Sequence, residues 1–264
     1  MVELIKKIIA WIYAVLGITG RRFQRTYSDP NVIRIVNYHR TPKNELKTFA
    51  KQLRWYRKVF VNIDHEQFVK FMNGELTLEK PGVILSFDDG LLNNYEEALP
   101  LLERYGFTGW FMVSAGNADG VEYMTYENMQ DLIRRGHVIG CHTFTHHRMD
   151  EADTEEILEK EITEAGMLLE DMLDTKIDIF CWCGGEENTY TAKAEEKIEQ
   201  SYRYGFMTNS DLVHPDTDRY HLQRTNVEAR WPLALAQFQL AGFMDDMYKE
   251  KRERVNAITA REAE

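Results

Sequence analysis

The chain has 264 residues, which is enough to bury a sizeable core in one α/β barrel or in two small domains, and we favour one domain. Hydrophobic residues at 44% and charged residues at 28% are typical of a soluble globular protein and argue against disorder or a fibre. The formal net charge of -11 argues against nucleic acid as a partner, because nucleic-acid binders need a basic footprint. A neutral or cationic ligand fits this charge better.

The first clear pattern lies in residues 1–27, where apolar residues from Leu4 to Leu16 recur at helical spacing. The basic residues of this segment are Lys6, Lys7, Arg21, Arg22 and Arg25. The uncharged run 8–20 is shorter than the roughly 20 residues that a membrane span needs, and no convincing cleavage site for a signal peptide follows it. Three interpretations remain open: a helix on an anionic membrane surface, an uncleaved signal-anchor, or a helix packed on the domain. We favour peripheral membrane contact through residues 4–25.

Strands and helices then alternate along the chain. In order, the patterns predict strand 32–38, helix 45–57, strand 59–63, helix 66–73, strand 83–87, helix 95–105, strand 108–113, helix 125–135, strand 138–141, helix 154–173, strand 177–182, helix 190–202, strands 206–209 and 221–227, and helix 233–248. A charged tail over 249–264 is expected to be exposed or frayed. Such alternation indicates an α/β fold, an incomplete or distorted (β/α) barrel of about seven parallel strands. No glycine-rich phosphate loop is present, so nucleotide binding lacks its main signal.

Polar residues with catalytic potential follow several of the predicted strands. His39 follows the first strand, the pair Asp88 and Asp89 follows the strand 83–87, and His142 follows the strand 138–141, with His146 in the same loop. In a barrel these strand ends lie on one face. Adjacent side chains leaving a strand point in different directions, so one aspartate can bind a cation while the other handles a proton.

Two imidazoles and one carboxylate form an open site for zinc or a similar divalent ion. A metal so bound lowers the pKa of its water and polarises a carbonyl, as hydrolysis of an unactivated amide requires. Each feature alone has an ordinary alternative: a solvated Asp-Gly turn, a chance pair of histidines, or a structural histidine at position 39. Their coincidence at strand ends favours a catalytic site.

Two of these motifs resemble those of a known family. The run Ser-Phe-Asp-Asp-Gly at 86–90 resembles the first motif of the polysaccharide deacetylases of carbohydrate esterase family 4, the NodB homology domain, which is usually Thr-Phe-Asp-Asp-Gly. The run His-Thr-Phe-Thr-His at 142–146 resembles their second motif, His-Ser/Thr-x-x-His. The resemblance covers roughly residues 32–227. Tyr-His-Arg at 38–40 matches the Tyr-His element of the branch that contains the poly-N-acetylglucosamine deacetylases.

The resemblance implies a role for each motif residue. Asp88 would be the general base and His39 the general acid, while Asp89, His142 and His146 would hold the metal. The ligand set suits zinc best, and nickel, cobalt or iron also fit it.

The third motif departs from the pattern of this branch, which is usually an aromatic, a proline, an aromatic and a glycine. Here the sequence is Trp-Cys-Gly-Gly at 182–185. Gly184 becomes the candidate N–H donor to an oxyanion, and Trp182 either stacks on a sugar or is an ordinary packed tryptophan. Arg224 resembles the late arginine of the branch and would orient Asp88 or a substrate carbonyl.

The cysteines are Cys141, Cys181 and Cys183. This odd count without a disulfide framework favours a reducing compartment. The Cys-x-Cys spacing of the last two is a weak metal signal, and small buried residues are the better interpretation.

These observations predict a metal-dependent hydrolase that removes an N-acetyl group from an amino sugar in a polysaccharide or lipid-linked glycan. The expected organisation is an N-terminal helix over 1–27, a deacetylase-like catalytic domain over 28–232, and a C-terminal helix with a charged tail over 233–264. The alternatives are a catalytically silent glycan-binding domain and a metal amidohydrolase acting on a non-sugar amide. We expect a bacterial protein in the cytoplasm or at the cytoplasmic face of the inner membrane, or alternatively in the cell envelope with an uncleaved anchor.

Overall fold

The computed structural model describes residues 2–259, so the last part of the predicted charged tail, 260–264, lies outside the described residues. The strands are β1 Ile33–Tyr38, β2 Val61–Asn62, β3 Gly82–Phe87, β4 Gly109–Val113, β5 Val138–Cys141, β6 Ile179–Cys181, β7 Tyr204–Met207 and β8 Leu222–Asn226. The α-helices are α1 Val2–Val15, α2 Ile18–Thr26, α3 Leu46–Val59, α4 His65–Met72, α5 Leu99–Tyr105, α6 Tyr126–Arg134, α7 Glu155–Leu158, α8 Ala165–Leu173, α9 Ala192–Ser201, α10 Leu233–Phe238 and α11 Met244–Thr259. Short 3-10 helices span Lys43–Glu45 and Glu187–Thr189, and π-helical segments span Asn94–Ala98, Glu159–Glu164 and Gln239–Phe243.

Seven parallel strands close into a ring in the order β1-β8-β7-β6-β5-β4-β3, with β3 pairing back to β1. The short β2 adds to the start of β3. The ring is weakest between β5 and β6, which share the single residue pair Cys141 and Phe180. The predicted distorted α/β barrel of about seven parallel strands is therefore confirmed.

Alternation along each strand divides the core into two layers. One cluster contains alternate residues of the ring strands, such as Ile35, Ile84, Trp110 and Phe206, which fill the barrel interior. The other faces the surrounding helices. Phe68 of α4 packs on Trp110 at 5.4 Å and closes the end where the strands begin. The opposite end, where the strands finish, is left for the functional site.

The terminal helices pack together beside the barrel. Tyr13 of α1 lies 5.7 Å from the rings of both Phe238 and Phe243. A buried ion pair between Arg34 of β1 and Asp245 of α11, at 2.8 Å, ties these helices to the sheet. Among the described helices, none is long and apolar enough to cross a membrane.

Several helical predictions differ from the structure; the predicted N-terminal helix is divided into α1 and α2, and the predicted helix 95–105 begins with a π-helical segment. The predicted helix 154–173 contains a π-helical segment, and the predicted helix 233–248 is broken at Gly242, whose φ of 93° is left-handed. The tail expected to be exposed or frayed from residue 249 is helical and continues α11 to Thr259, although most of its side chains are exposed. The reason is a buried stripe: Val255 and Thr259 lie four residues apart on one helix face, and both are buried against the domain.

Candidate active site

The strand ends bring the predicted residues into one pocket of about 510 Å³. Asp88 continues the inward-facing series of β3 after Ile84 and Ser86, because every second residue of a strand points to the same side. The pocket is lined by Asn37, His39, Asp88, Asp89, His142, His146, Arg148, Trp182, Gly184, Gly185, Glu186, Thr208, Asn226, Tyr248 and Lys251. Of the predicted site residues, Arg224 is the one that does not line this pocket.

Arg224 lies behind Asp88 and holds it. The guanidinium of Arg224 is fully buried and donates to both carboxylate oxygens of Asp88, at 2.6 and 2.9 Å. Burial alone would raise the pKa of Asp88, but Arg224, with help from His142, holds that pKa well below its usual range. Asp88 is therefore a fixed anion at the pocket floor. Of the two predicted roles for Arg224, contact with Asp88 is the one that the geometry permits.

Asp89, His142 and His146 present three donor atoms to a common point. Oδ1 of Asp89 is buried, accepts no hydrogen bond of good geometry from the described residues, and lies 3.1 Å from Nε2 of His146 and 3.7 Å from Nε2 of His142. Nδ1 of His142 lies 2.8 Å from the carbonyl of Cys181 and must donate to it, which leaves a lone pair on Nε2. A buried carboxylate oxygen that faces two imidazole nitrogens fits a divalent cation.

The titration of these histidines differs with their surroundings. Burial lowers the pKa of His142, which keeps the imidazole neutral as a metal ligand must be. The contact with Asp89 raises the pKa of His146, which is half-exposed. Without a cation, His146 and Asp89 therefore form an ion pair that a metal would replace.

The backbone at this site is strained. Three residues with side chains on Cβ have left-handed φ angles: Asp89 at 73°, Thr143 at 65° and His146 at 66°. Such conformations cost free energy and are retained where the surrounding structure imposes them, often at functional sites. Here the left-handed backbone at Asp89 and His146 directs two of the three candidate metal-ligand atoms toward each other.

Glu161, which the sequence patterns did not predict as a site residue, fixes the shape of the loop that carries His142 and His146. One carboxylate oxygen of Glu161 accepts from the backbone N–H groups of Phe144 and Thr145 at 3.0 and 2.9 Å, and the other accepts from the Thr145 hydroxyl at 2.8 Å. Glu161 is buried within the π-helical segment Glu159–Glu164. Such segments occur often near functional sites, but an acidic helix sequence gives no signal of one.

The third histidine of the loop is not part of the cluster. Nε2 of His147 lies 2.9 Å from a carboxylate oxygen of Asp153, which takes the imidazole away from the pocket residues Asp89 and His142. Of the three histidines in this loop, His142 and His146, four residues apart, are the ones that face Asp89.

The third-motif loop supplies a backbone donor. Gly184 has a φ of 87°, which favours glycine, and within residues 4–259 its N–H donates to no protein acceptor. The carbonyl of Gly184 accepts from the Thr208 hydroxyl at 3.2 Å, which fixes the peptide. Trp182 is only 2% exposed and its ring centroid lies 5.2 Å from that of Tyr190, so the packed-tryptophan alternative fits better than sugar stacking.

The cysteines are all buried and free, as expected. Sγ of Cys183, however, lies within 4.8 Å of donor nitrogens of both His142 and His146. Cys183 therefore borders the metal ligands from the side of the altered third motif.

The helix α11 contributes a wall that the sequence analysis missed. Tyr248 lines the pocket and remains partly exposed, and the ammonium of Lys251 lies 5.6 Å above its ring. Lys251 also donates to the carbonyl of Gly185. A charged helix after the last strand carries no motif, so its position depends on the fold.

Comparisons with known proteins point to one family. The family model described as polysaccharide deacetylase matches residues 75–202. The chain is similar to YxkH of Bacillus subtilis (strain 168), whose name describes it as a polysaccharide deacetylase. The two sequences are 24% identical over 206 residues, which cover 75% of this chain and 72% of that protein.

Two solved structures share the fold. The Streptococcus pyogenes deacetylase PplD in complex with acetate superposes with a TM-score of 0.69 at 20% identity, covering 80% of this chain and 99% of that one. IcaB from Ammonifex degensii superposes with a TM-score of 0.67 at 22% identity, covering 81% and 97%.

Proposed function

Because this chain belongs to the polysaccharide deacetylase family, we propose that it is a metal-dependent hydrolase that removes an N-acetyl group from an amino sugar in a polysaccharide or lipid-linked glycan. The family resemblance carried by the motifs at 86–90 and 142–146 is confirmed. One observation supports the finer assignment: a fixed anion, Asp88, shares a pocket with a carboxylate oxygen of Asp89 that faces the Nε2 atoms of His142 and His146.

Asp89, His142 and His146 would hold the cation. Two imidazoles and one carboxylate suit zinc, and nickel, cobalt or iron accept the same ligands. Bound there, the cation would lower the pKa of a water molecule and polarise the acetamide carbonyl.

The proton transfers fall to Asp88 and His39. The carboxylate of Asp88 accepts a proton as water adds to the carbonyl carbon of the acetamide. Because Arg224 holds the pKa of Asp88 low, the carboxyl group releases that proton again readily. His39 lines the same pocket from the end of β1 and would protonate the sugar nitrogen as the C–N bond breaks. The products are acetate and a free amine.

The remaining pocket groups suit a glycan. The N–H of Gly184 is available to the oxygen that becomes negative when water adds to the acetamide. Side-chain amides and hydroxyls of Asn37, Thr208 and Asn226 offer hydrogen bonds to sugar hydroxyls, and Tyr248 presents a ring that a sugar can pack against. The altered third motif thus coincides with an aromatic residue supplied by another element.

The test is acetate release from N-acetylated amino-sugar oligomers and lipid-linked sugars. Metal-loaded protein, chelated protein, Asp88→Asn and a control, Asp171→Asn on the exposed face of α8, are compared side by side. We expect release that needs metal, is lost in Asp88→Asn and persists in Asp171→Asn. Stoichiometric metal binding without release from any substrate would favour the glycan-binding alternative. Release from non-sugar amides alone would favour the amidohydrolase alternative.

A further inference from the structure

The helix α1 carries its large apolar side chains on the outside of the molecule. We define the apolar face of α1 as Leu4, Ile5, Ile8, Ile9, Trp11, Ile12 and Val15, together with Leu16 directly after the helix, all of which are exposed. The side that faces the domain consists of smaller or amphipathic residues, including the buried Ala10 and the packed ring of Tyr13. A helix on a globular domain normally turns its apolar stripe toward the core. Here that orientation is reversed.

This exposure is concentrated rather than scattered. Of the fourteen exposed large apolar side chains in the described part of the chain, eight belong to the apolar face of α1, and Val15 and Leu4 are 65% and 63% exposed. Their spacing of three, four and seven residues makes the face continuous along the helix. Single exposed apolar residues are ordinary, but a contiguous patch marks a surface that binds something.

The charges around this face identify the partner. Residues 4–25 contain five basic side chains and no acidic one, although the whole chain has a net charge of -11. Lys6, Arg21 and Arg25 are exposed, and Arg21 donates to the carbonyl of Leu16 at the end of the apolar face, while Arg22 is paired with Asp246 at 2.8 Å. An apolar stripe flanked by cations matches a bilayer surface that carries anionic lipids.

We propose that the apolar face of α1 docks on the surface of an anionic bilayer. The apolar side chains would enter the boundary between headgroups and acyl chains, with Trp11 among them, and Lys6, Arg21 and Arg25 would contact lipid phosphates. The inner side of α1, held by Tyr13, keeps the barrel attached to the membrane-bound helix. This docking is independent of the proposed catalytic function, and its test needs no substrate.

The experiment is cosedimentation of the full chain with vesicles of phosphatidylcholine alone or mixed with phosphatidylglycerol. We expect binding to the anionic vesicles and much weaker binding to the neutral ones. Ile8→Glu combined with Ile12→Glu should weaken binding by at least about tenfold, since each apolar side chain contributes roughly that factor when buried. Ile8→Glu alone is compared with the matched control Val121→Glu, which places the same single charge at a position that is 83% exposed on another surface.

A second measurement avoids any change to the apolar face. Trp11 is 62% exposed, Trp110 and Trp182 are buried, and Trp55 and Trp231 are partly buried, so lipids brominated on the acyl chain should quench Trp11 most strongly. In Trp11→Phe most of the quenching should disappear while cosedimentation remains.

Three results would overturn the proposal. The first is no quenching of Trp11 by brominated anionic vesicles. The second is equal vesicle binding by the wild type and the folded Ile8→Glu, Ile12→Glu variant. The third is a stable dimer in solution that buries Trp11 and does not bind vesicles, which would assign the face to a second copy of the chain.

Discussion

Replacing Arg224 by Met should lower the free energy of unfolding by about 3–5 kcal/mol, the usual cost of leaving a buried charge without its partner. Both nitrogens at the end of the Arg224 side chain donate to Asp88, and both side chains are almost completely buried. The side chain of Met is unbranched and apolar and replaces the packed stem of Arg224, so the change removes the charge while keeping most of the stem's contacts. For a domain of this size the midpoint of thermal unfolding should fall by roughly 6–20 °C.

A double-mutant cycle with Asp88→Asn isolates the interaction free energy between Arg224 and Asp88. The double variant should be less destabilised than the sum of the single variants by at least about 2 kcal/mol, because it leaves neither charge unpaired. Arg224 also donates to Ser86 at 3.2 Å and to the carbonyl of Met207 at 3.2 Å. Those bonds are lost with or without the Asp88 charge, so they cancel in the cycle.

The assay is urea unfolding of chelated protein, so that metal binding does not contribute. The folded-state pKa of Asp88 is depressed, so its stabilisation is present above the unfolded pKa of about 3.9 and is lost as pH falls through the lower folded value. In Arg224→Met, burial dominates and raises that pKa, so the stability of this variant should instead improve on mild acidification. Additivity within about 0.5 kcal/mol across the cycle would refute the argument that the two charges depend on each other.

Three further changes test other parts of the structure. Glu161→Ala should weaken zinc binding by about 10–100-fold, as measured by metal titration, because the carboxylate orders the loop that carries His142 and His146. An unchanged zinc affinity would show that Glu161 does not position these ligands. Asp245→Asn should cost about 3–5 kcal/mol in urea unfolding, because Arg34 is fully buried against it; a cost below about 1 kcal/mol would show that water reaches this pair. For His221, burial lowers the pKa, but the hydrogen bond to Glu195 outweighs it and the pKa is raised. The stabilisation by His221 is therefore complete below its unfolded pKa of about 6.5 and lost as pH rises through the folded value. In urea unfolding, His221→Gln should lower the free energy of unfolding more at pH 6 than at pH 9. An equal loss at the two pH values would contradict a raised pKa.

The barrel and the site residues at its strand ends were accessible to sequence reasoning because each follows from local patterns combined with one general rule. Apolar runs after Pro81 and before Gly90 mark a buried strand, and parallel strands place their carboxyl ends on one face. His39, Asp88 and His142 could therefore be assigned to one face without any knowledge of their distances. Their chemistry needed only the residue types.

The parts of the site that sequence reasoning missed depend on contacts between distant segments. Arg224 was assigned from the family resemblance, but its buried ion pair was not visible in the sequence: Arg224 lies 136 residues from Asp88 in the chain, and only closure of β8 against β1 brings the guanidinium behind the carboxylate. Glu161 acts through a π-helical segment that shifts its register within an otherwise ordinary helical pattern. Tyr248 reaches the pocket because the chain turns at Gly242, where the φ of 93° breaks a helix that the pattern predicts to be continuous. In each case the sequence shows the residue type but not the position of its side chain relative to the pocket.

The helix α1 shows a different limit of pattern reasoning. The stripe of apolar residues in α1 is evident from the sequence, but a stripe does not say whether it meets the protein core or something outside it. That choice depends on how closely the other face can approach the domain. The small side chain of Ala10 allows a close approach, and Tyr13 adds ring contacts to Phe238 and Phe243. Once the narrow face is the one that packs, the larger apolar residues are left facing outward, and the basic side chains around them favour a lipid surface over water.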